Sequence, residues 1–360
     1  MNPDQQKKSI LNFSLDHQGF LSSLWRLSGF TSHGNQGYSR VLLQIFGYAG
    51  HGKSSFINSC KFVLEEGEEF IQYAKAGEDN ETMTMERKAY DLTKNITMVE
   101  NRGSITTGSF QRAEIFAQLG NFLPIGEKVE WMKDYTDMTR LEGAERNPNY
   151  SDFIVPIFIY SAKCRFGETE RQELQEFLEN CAKMTGVFPI IVITHKTSGD
   201  FMKAEKMFKQ MGAEVVISIE NYTEKDHIKT QGKTNDILMV IHSALEDVNY
   251  RLEAKERNPQ KDWIQRKKFL LDYIHKADLE KKEEKRRREE EKRREEEERR
   301  EEEKRKAEAR NLVPVMPFMR DNEHNAEMKK KENELSGKKE MKRETGNYTG
   351  GGWWSWLFGR

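Results

Sequence analysis

One eight-residue stretch constrains this chain more than any other part of its sequence. Residues 47–54 read Gly-Tyr-Ala-Gly-His-Gly-Lys-Ser and match the pattern G-x-x-x-x-G-K-[ST] at every fixed position. An apolar run, residues 41–46, precedes the pattern, and residues 55–59 can continue a helix after it. In this setting the glycines let backbone N–H groups converge on phosphate oxygens at a helix N-terminus. The residues predicted to surround the phosphates are Gly47, Gly50, His51, Gly52, Lys53, Ser54 and Ser55.

Two side chains of this loop have distinct predicted roles. Lys53 is expected to reach the β- and γ-phosphates, and Ser54 to place its hydroxyl on Mg²⁺. The predicted ligand is therefore a nucleotide with Mg²⁺ as cofactor, and GTP or GDP is the nucleotide that we expect. A phosphate loop alone does not separate ATP from GTP, or a switch from an enzyme.

A second acidic site is predicted at the end of the next buried strand. Residues 97–103 read Thr-Met-Val-Glu-Asn-Arg-Gly, with Glu100 and Gly103 at the spacing of D-x-x-G and Glu in place of Asp. The longer carboxylate permits a water-bridged contact with the metal. A threonine that senses the γ-phosphate is expected earlier in the chain, and both Thr82 and Thr84 fit. The predicted metal set is Ser54, Thr84 and Glu100, and the predicted switch set is Thr82, Thr84 and Gly103.

The base-reading loop is expected after the strand that ends at Thr194. GTP-binding proteins typically carry N-K-x-D there, where the Asp accepts hydrogen bonds from guanine. This chain reads Thr-His-Lys-Thr-Ser-Gly-Asp over residues 194–200, so Ser198 stands at the acidic position. Asp200 fits that role only if the loop is two residues longer. The predicted base-binding residues are Thr194, His195 and Lys196.

Hydrolysis is predicted to be slow. Ser104 follows Gly103, where a water-positioning residue often stands, and no arginine finger can be named from the sequence. Two functions stay open at this point. One is a nucleotide switch with slow or partner-assisted hydrolysis. The other is a hydrolysis-deficient scaffold that recruits partners or a membrane through a long charged helix and a tryptophan-rich tail.

The remaining pattern predicts an α/β fold with a mostly parallel sheet and helices on both faces. Strand-like segments at residues 86–92 and 95–100 are close enough to form an antiparallel hairpin. Residues 103–151 contain a helix near 112–119 but no strand, so this region is either a nucleotide-sensing loop or a plain insertion. Further strands are predicted at residues 153–160, 188–194 and 214–219, and helices at 168–184, at 201–211 and from about 237 to 252.

Four regions follow from these patterns. Residues 1–38 form an N-terminal extension with an apolar cluster at 20–27, and residues 39–257 form the P-loop domain. Residues 258–311 form a long helix that begins at Asn258 and consists almost only of Glu, Lys and Arg from about residue 280. No apolar a/d positions lie between Leu279 and Ala307, so the charged part is predicted to be a solvated single helix, with a disordered tract as the alternative. Residues 312–360 are predicted to be a disordered tail.

The tail ends in a tryptophan cluster, Trp353, Trp354 and Trp356, behind three glycines. Such a cluster favours a membrane surface or a groove on a partner protein. The alternative is a tail that folds back on its own domain. The sequence does not determine the oligomeric state.

Composition limits the remaining choices. The formal net charge of −1 arises from 59 basic and 60 acidic residues, and such balance argues against nucleic-acid binding. Cys60, Cys164 and Cys181 are too scattered for a disulfide framework or a zinc site. The sequence lacks a signal-like start and any apolar run of about 20 residues. We therefore expect a cytoplasmic protein, with peripheral membrane contact through the tail as an option.

Several segments resemble the interferon-induced protein 44 family of P-loop GTPase-like proteins. The resemblance covers about residues 40–250 and is carried by residues 52–59, 112–116, 152–154, 192–195, 220–223 and 243–245. It implies a Ras-like GTP-binding fold, a cytoplasmic location and a role in interferon-linked immune defence. The family's acidic strand-end position and its T-H-x-D motif map onto Glu100 and residues 194–197. This chain has Glu in place of Asp at the first and Thr197 in place of the acid at the second.

Overall fold

The computed structural model describes residues 2–15, 35–75, 86–103, 109–126, 129, 151–165 and 167–311. The chain divides into two compact units, residues 1–286 and 287–360, and the folded domain lies in the first. The described residues of this domain contain six strands, which are β1 (Arg40–Gly47), β2 (Lys88–Asp91), β3 (Ile96–Glu100), β4 (Asp152–Ser161), β5 (Ile190–Thr194) and β6 (Val216–Ser218).

The sheet has the order β2-β3-β1-β4-β5-β6. Every neighbouring pair is parallel except β2 and β3, which pair antiparallel, so the predicted hairpin is confirmed. β3, β4 and β5 are buried along their whole length, and β1 is buried from Val41 onward. Their nearly continuous apolar sequences are typical of parallel strands that helices cover on both faces.

Pro156 lies inside the central strand β4, where proline is normally excluded. Its partner on one side is Gln44 of β1, but the pairing of β4 with β5 begins only at Ile157. At Pro156 the strand therefore has one neighbour, as a strand at the edge of a sheet does. A proline without an N–H is tolerated at such a position.

Seven helices occur in the part of the chain that the structure describes. They are α1 (Pro3–Leu11), α2 (Lys53–Leu64), α3 (Ser109–Leu119), α4 (Glu168–Thr185), α5 (Phe201–Gln210), α6 (Gln231–Ala254) and α7 (Pro259–Asn311). α1, α2 and α6 share one hydrophobic core, while α3, α4, α5 and the start of α7 share another. Within β5, Val192 belongs to the first core and Ile193 to the second, because side chains alternate along a strand. The predicted α/β fold class is confirmed.

α1 lies inside the region that the sequence assigned to an extension. Asn2 caps it by accepting a hydrogen bond from the Gln5 N–H at 2.8 Å, and Ile10 is fully buried in the first core. One buried isoleucine gives too weak an apolar stripe for a prediction by periodicity, although the capping residues were visible. The predicted apolar cluster at residues 20–27 lies outside the described residues.

α7 begins as predicted. The Lys261 N–H donates to Asn258 Oδ1 at 3.0 Å, and Trp263, Leu270 and Ile274 are buried against the second core. From residue 280 to 310 every side chain is exposed, and i,i+4 ion pairs such as Glu302 with Lys306 at 2.6 Å line the helix. The predicted charged helix is confirmed over its described length. The tail from residue 312 lies outside the described residues, and no described helix is both long and apolar enough to span a bilayer.

Candidate nucleotide-binding site

The loop between β1 and α2 has a backbone that requires glycine. Gly47, Gly50 and Gly52 all have positive φ, at 142°, 74° and 89°. A Cβ on Gly47 would lie 2.3 Å from the Ile159 carbonyl oxygen, so only glycine fits between β1 and β4. The strand, the loop and the helix N-terminus therefore follow each other as the sequence pattern predicts. This unit is a P-loop.

Lys53 is the buried cation of this loop. Its side chain is about 7% exposed, and Nζ donates to the Gly47 carbonyl at 3.2 Å and the Tyr48 carbonyl at 2.8 Å. Burial lowers the pKa of Lys53 to about 8, although the negative charge of Glu100 opposes this effect. Two carbonyl acceptors compensate a buried ammonium only in part. An anion at the loop would stabilise it further.

Gly103 lies directly against this lysine. A Cβ at that position would be 2.3 Å from Lys53 Nζ. The absence of a side chain therefore leaves room for the ammonium, and the structure brings the predicted switch glycine to the phosphate loop. The other predicted switch residues, Thr82 and Thr84, and the following Ser104 lie outside the described residues.

Ser54 and Glu100 form the other polar pair of the site. The Ser54 hydroxyl donates to Glu100 Oε1 at 2.5 Å, and Glu100 is buried at the carboxyl end of β3. A hydroxyl and a carboxylate are oxygen ligands of the kind that Mg²⁺ prefers. No described group of three or more His, Cys, Asp or Glu residues could hold a metal alone. One carboxylate and one hydroxyl fit an Mg²⁺ that nucleotide phosphates complete.

The His51 side chain turns away from the loop's open face. The Ser161 N–H donates to Nδ1 at 3.1 Å, so the ring proton stands on Nε2, which lies 3.2 Å from Cys164 Sγ. Burial lowers the pKa of His51 to about 4, and the ring is neutral at physiological pH. A neutral imidazole whose Nδ1 is already engaged cannot act as the base of a Cys–His pair. His51 therefore contributes to the loop through its backbone.

The predicted base-binding residues occupy three different environments. Thr194 is buried, and its hydroxyl donates to the His51 carbonyl at 2.9 Å, which ties the end of β5 to the P-loop. His195 has a left-handed backbone with φ 58°, and burial lowers its pKa. Lys196 Nζ pairs with Asp236 Oδ2 at 2.7 Å. Asp200 caps α5 by accepting from the Lys203 N–H at 3.1 Å.

Two residues after β6 reach the site and were not among the predicted site residues. Asn221 Nδ2 donates to the Gly52 carbonyl at 3.3 Å. The Glu220 carboxylate accepts from both the N–H and the hydroxyl of Thr197, at 2.8 and 2.7 Å. The segment Glu-Asn-Tyr-Thr was visible in the family resemblance, but its contact with residue 197 depends on the pairing of β5 and β6.

Comparison with solved structures finds only distant similarity in fold. No protein-family model matches this chain, and no curated protein sequence matches it. Toc33 from Arabidopsis thaliana in complex with Mg²⁺ and GMPPNP has a TM-score of 0.35 and 12% identity, over 68% of this chain and 94% of Toc33. Toc33 in complex with GDP and Mg²⁺ has a TM-score of 0.34 and 10% identity, over 70% of this chain and 93% of Toc33. A variant of SsGBP has a TM-score of 0.29 and 15% identity, over 70% of this chain and 65% of SsGBP.

At these values the likeness carries no argument about function. The strand order, the antiparallel β2 and the loop geometry described above define the fold by themselves.

Proposed function

We propose that this protein is a guanine-nucleotide-binding switch with slow or partner-assisted GTP hydrolysis. The observation that carries the proposal is the buried Lys53 ammonium, held on loop carbonyls beside the Ser54–Glu100 pair. In a strand-to-helix turn without a ligand, two carbonyl acceptors would leave this buried cation only partly compensated. The β- and γ-phosphates of a nucleotide would supply the missing negative charge.

Different residues of the chain would contact different parts of the bound nucleotide and its Mg²⁺. The N-terminus of α2 offers backbone N–H groups, and Lys53 adds a full positive charge. Ser54 and Glu100 are the residues that would hold Mg²⁺, which when bound neutralises phosphate charge. Gly103 keeps the space beside Lys53 open. The proposal of slow hydrolysis rests on Ser104 at the place of a water-positioning residue.

The cellular setting is proposed from the family resemblance and the tail composition alone. A role in interferon-linked immune defence and a cytoplasmic location are proposed from the resemblance. Contact with a membrane or a protein partner is proposed from Trp353, Trp354 and Trp356. The hydrolysis-deficient scaffold, which recruits partners or a membrane through α7 and the tail, remains the second candidate. Both candidates share the binding loop, and turnover separates them.

Competition against a fluorescent guanine nucleotide tests the proposal. We expect unlabelled GTP and GDP to displace the probe in the presence of Mg²⁺, and ATP to displace it far less well. Single-turnover release of the γ-phosphate then separates the two candidates. Failure of the probe to bind would contradict the switch, and equal displacement by ATP would contradict the guanine assignment.

Nucleotide affinity should fall as the pH rises above about 8. Lys53 in the free protein has a pKa of about 8, and a bound phosphate anion raises that pKa. Binding therefore takes up a proton above pH 8, and the affinity for GDP should be about fourfold lower at about pH 8.5 than at about pH 7. Calorimetry in two buffers of different ionisation enthalpy would measure this uptake. A pH-independent affinity without proton uptake would contradict the assignment of Lys53.

Glu100→Gln should remove most of the increase in GDP affinity that Mg²⁺ provides. The amide keeps the size of the side chain and can still accept from Ser54, but it loses the charge that a hard cation requires. We expect the ratio of GDP affinities with Mg²⁺ and with EDTA to fall about tenfold or more. Glu86→Gln, a partly exposed acidic residue just before β2, is the matched control. An unchanged ratio in Glu100→Gln would exclude Glu100 from the metal site.

A further inference from the structure

The loop after β5 lacks an acid at the position where the family resemblance expects one. Thr194 fixes the register of this loop, since its hydroxyl bonds to the P-loop carbonyl of His51 at 2.9 Å. Three residues later, the expected acid is replaced by Thr197. Asp200 lies three positions further on and belongs to the N-cap of α5. The β5 loop therefore supplies no carboxylate at position 197.

A carboxylate nevertheless lies at this position, and it comes from the neighbouring strand end. β5 and β6 are parallel neighbours, and the Ile219 N–H donates to the Ile193 carbonyl at 2.7 Å, which extends the pairing past β6. Glu220 follows directly. Its Oε2 accepts from the N–H of Thr197 at 2.8 Å and from the hydroxyl of Thr197 at 2.7 Å. The acid beside residue 197 is therefore supplied by the segment after β6.

The position of Glu220 relative to the phosphate loop is fixed on both sides. The next residue, Asn221, donates to the Gly52 carbonyl at 3.3 Å. On the other side, the Lys196 N–H donates to the Ile219 carbonyl at 3.2 Å. The carboxylate is therefore held between the base-side loop and the P-loop by short connections. A side chain whose neighbours are anchored on both sides is preorganised for recognition.

One oxygen of Glu220 is left for a ligand. Oε2 takes both hydrogen bonds from Thr197, and no described residue donates to Oε1. Lys196, the residue before Thr197, pairs instead with Asp236 at 2.7 Å. Glu220 is partly exposed, so a base can reach it. An ionised carboxylate only accepts hydrogen bonds.

We propose that Glu220 reads the guanine base, in place of the missing acid of the β5 loop. The inference rests on the proposed nucleotide binding and deepens it. Guanine presents N1–H and N2–H donors on its Watson–Crick edge, which a carboxylate accepts. Adenine presents an acceptor at N1, which a carboxylate repels. Thr197 is the positioning residue, because it holds Glu220 through its N–H and its hydroxyl.

Affinities of Glu220→Gln for GDP, ADP and XDP, measured by calorimetry with Mg²⁺, test this assignment. The amide can still accept from Thr197, so the fold should persist, and a thermal melt checks that it does. We expect the affinity for GDP to fall about ten- to one-hundredfold, because a charge-assisted hydrogen bond is lost. XDP binding should rise, since the amide N–H₂ can donate to the C2 carbonyl of xanthine. Glu224→Gln, an exposed acid in the same loop, is the matched control.

Exchanging the acid and the hydroxyl between positions 220 and 197 gives a second test. Its readout, guanine preference, would not recover if the role of Glu220 were purely structural. The double variant Thr197→Asp with Glu220→Ser places the acid where the resemblance expects it, and we predict that it regains guanine preference over Glu220→Ser alone. Retained guanine preference in Glu220→Gln would overturn the inference while leaving nucleotide binding intact. Failure of the wild-type protein to bind GDP would instead overturn the proposed function.

Discussion

Replacing Lys53 with methionine should make the nucleotide-free protein more stable while it abolishes nucleotide binding. The lowering of the Lys53 pKa from 10.5 to about 8 corresponds to about 3 kcal/mol of unfavourable free energy for the charged form. Methionine has a similar volume and no charge, but it loses the hydrogen bonds to Gly47 and Tyr48. We therefore expect the free energy of unfolding to rise by about 1–3 kcal/mol.

The same substitution should lower the affinity for GDP at least about one-hundredfold, because the only positive side chain predicted to contact the phosphates is lost. Urea unfolding without nucleotide and calorimetric titration with GDP measure the two effects. Lys94→Met, an exposed lysine in the turn between β2 and β3, is the matched control and should change neither. A destabilised Lys53→Met variant that still binds GDP would contradict the account of this lysine.

The stability of the wild-type protein should also depend on pH through Lys53. Its pKa is lower in the folded chain than in the unfolded chain, so the unfolded state binds more protons between about pH 8 and pH 10.5. The free energy of unfolding contributed by this group therefore rises with pH across that window and is constant below it. Lys53→Met should lack this contribution. A difference in slope between the two proteins can be read from urea midpoints.

Arg87→Met should have the opposite effect on stability and lower the free energy of unfolding by about 3–5 kcal/mol. Arg87 is fully buried just before β2, and burial lowers its pKa to about 9. Its guanidinium donates to side-chain oxygens of Asn101 and Asn121 at 3.0 Å, to Gln44 at 3.4 Å, and to the carbonyl of Leu123.

The two buried cations differ in what their removal leaves behind. Loss of Arg87 strands several buried acceptors, each of which costs about 1–3 kcal/mol when it has no donor. Lys53 bonds only to two backbone carbonyls, and one of them belongs to the partly exposed Tyr48, where water can replace the ammonium. The urea midpoint of Arg87→Met should fall accordingly, while that of Arg165→Met, an exposed arginine after β4, should not. An unchanged midpoint in Arg87→Met would show that the buried network carries no net stability.

Patterns of local sequence predicted most of the fold. The fixed positions of the P-loop, the short hairpin at residues 86–100 and the cap at Asn258 depend on neighbours within a few residues, and the structure confirms the hairpin, the loop and the cap. The charged helix is confirmed for the same reason, since its ion pairs are spaced i,i+4. The switch roles of Thr82 and Thr84 remain predictions, because residues 76–85 lie outside the described residues.

Long-range contacts were not predictable in this way. His51 carries the pattern of a phosphate-loop residue, yet its ring bonds to Ser161, which is 110 positions away in sequence. Arg87 lies in the predicted strand 86–92, and its burial depends on amides from three other segments. The contact between Glu220 and Thr197 follows from the parallel pairing of β5 and β6. No local pattern encodes that pairing.

Calorimetric titration of the wild-type protein with GTP in the presence of Mg²⁺ is the most direct test of the central claim, that the loop from Gly47 to Ser54 binds a guanine nucleotide. We predict saturable binding of one GTP per chain, weakened when EDTA removes the metal, and much weaker binding of ATP under the same conditions. Absence of GTP binding by the folded protein would contradict the claim.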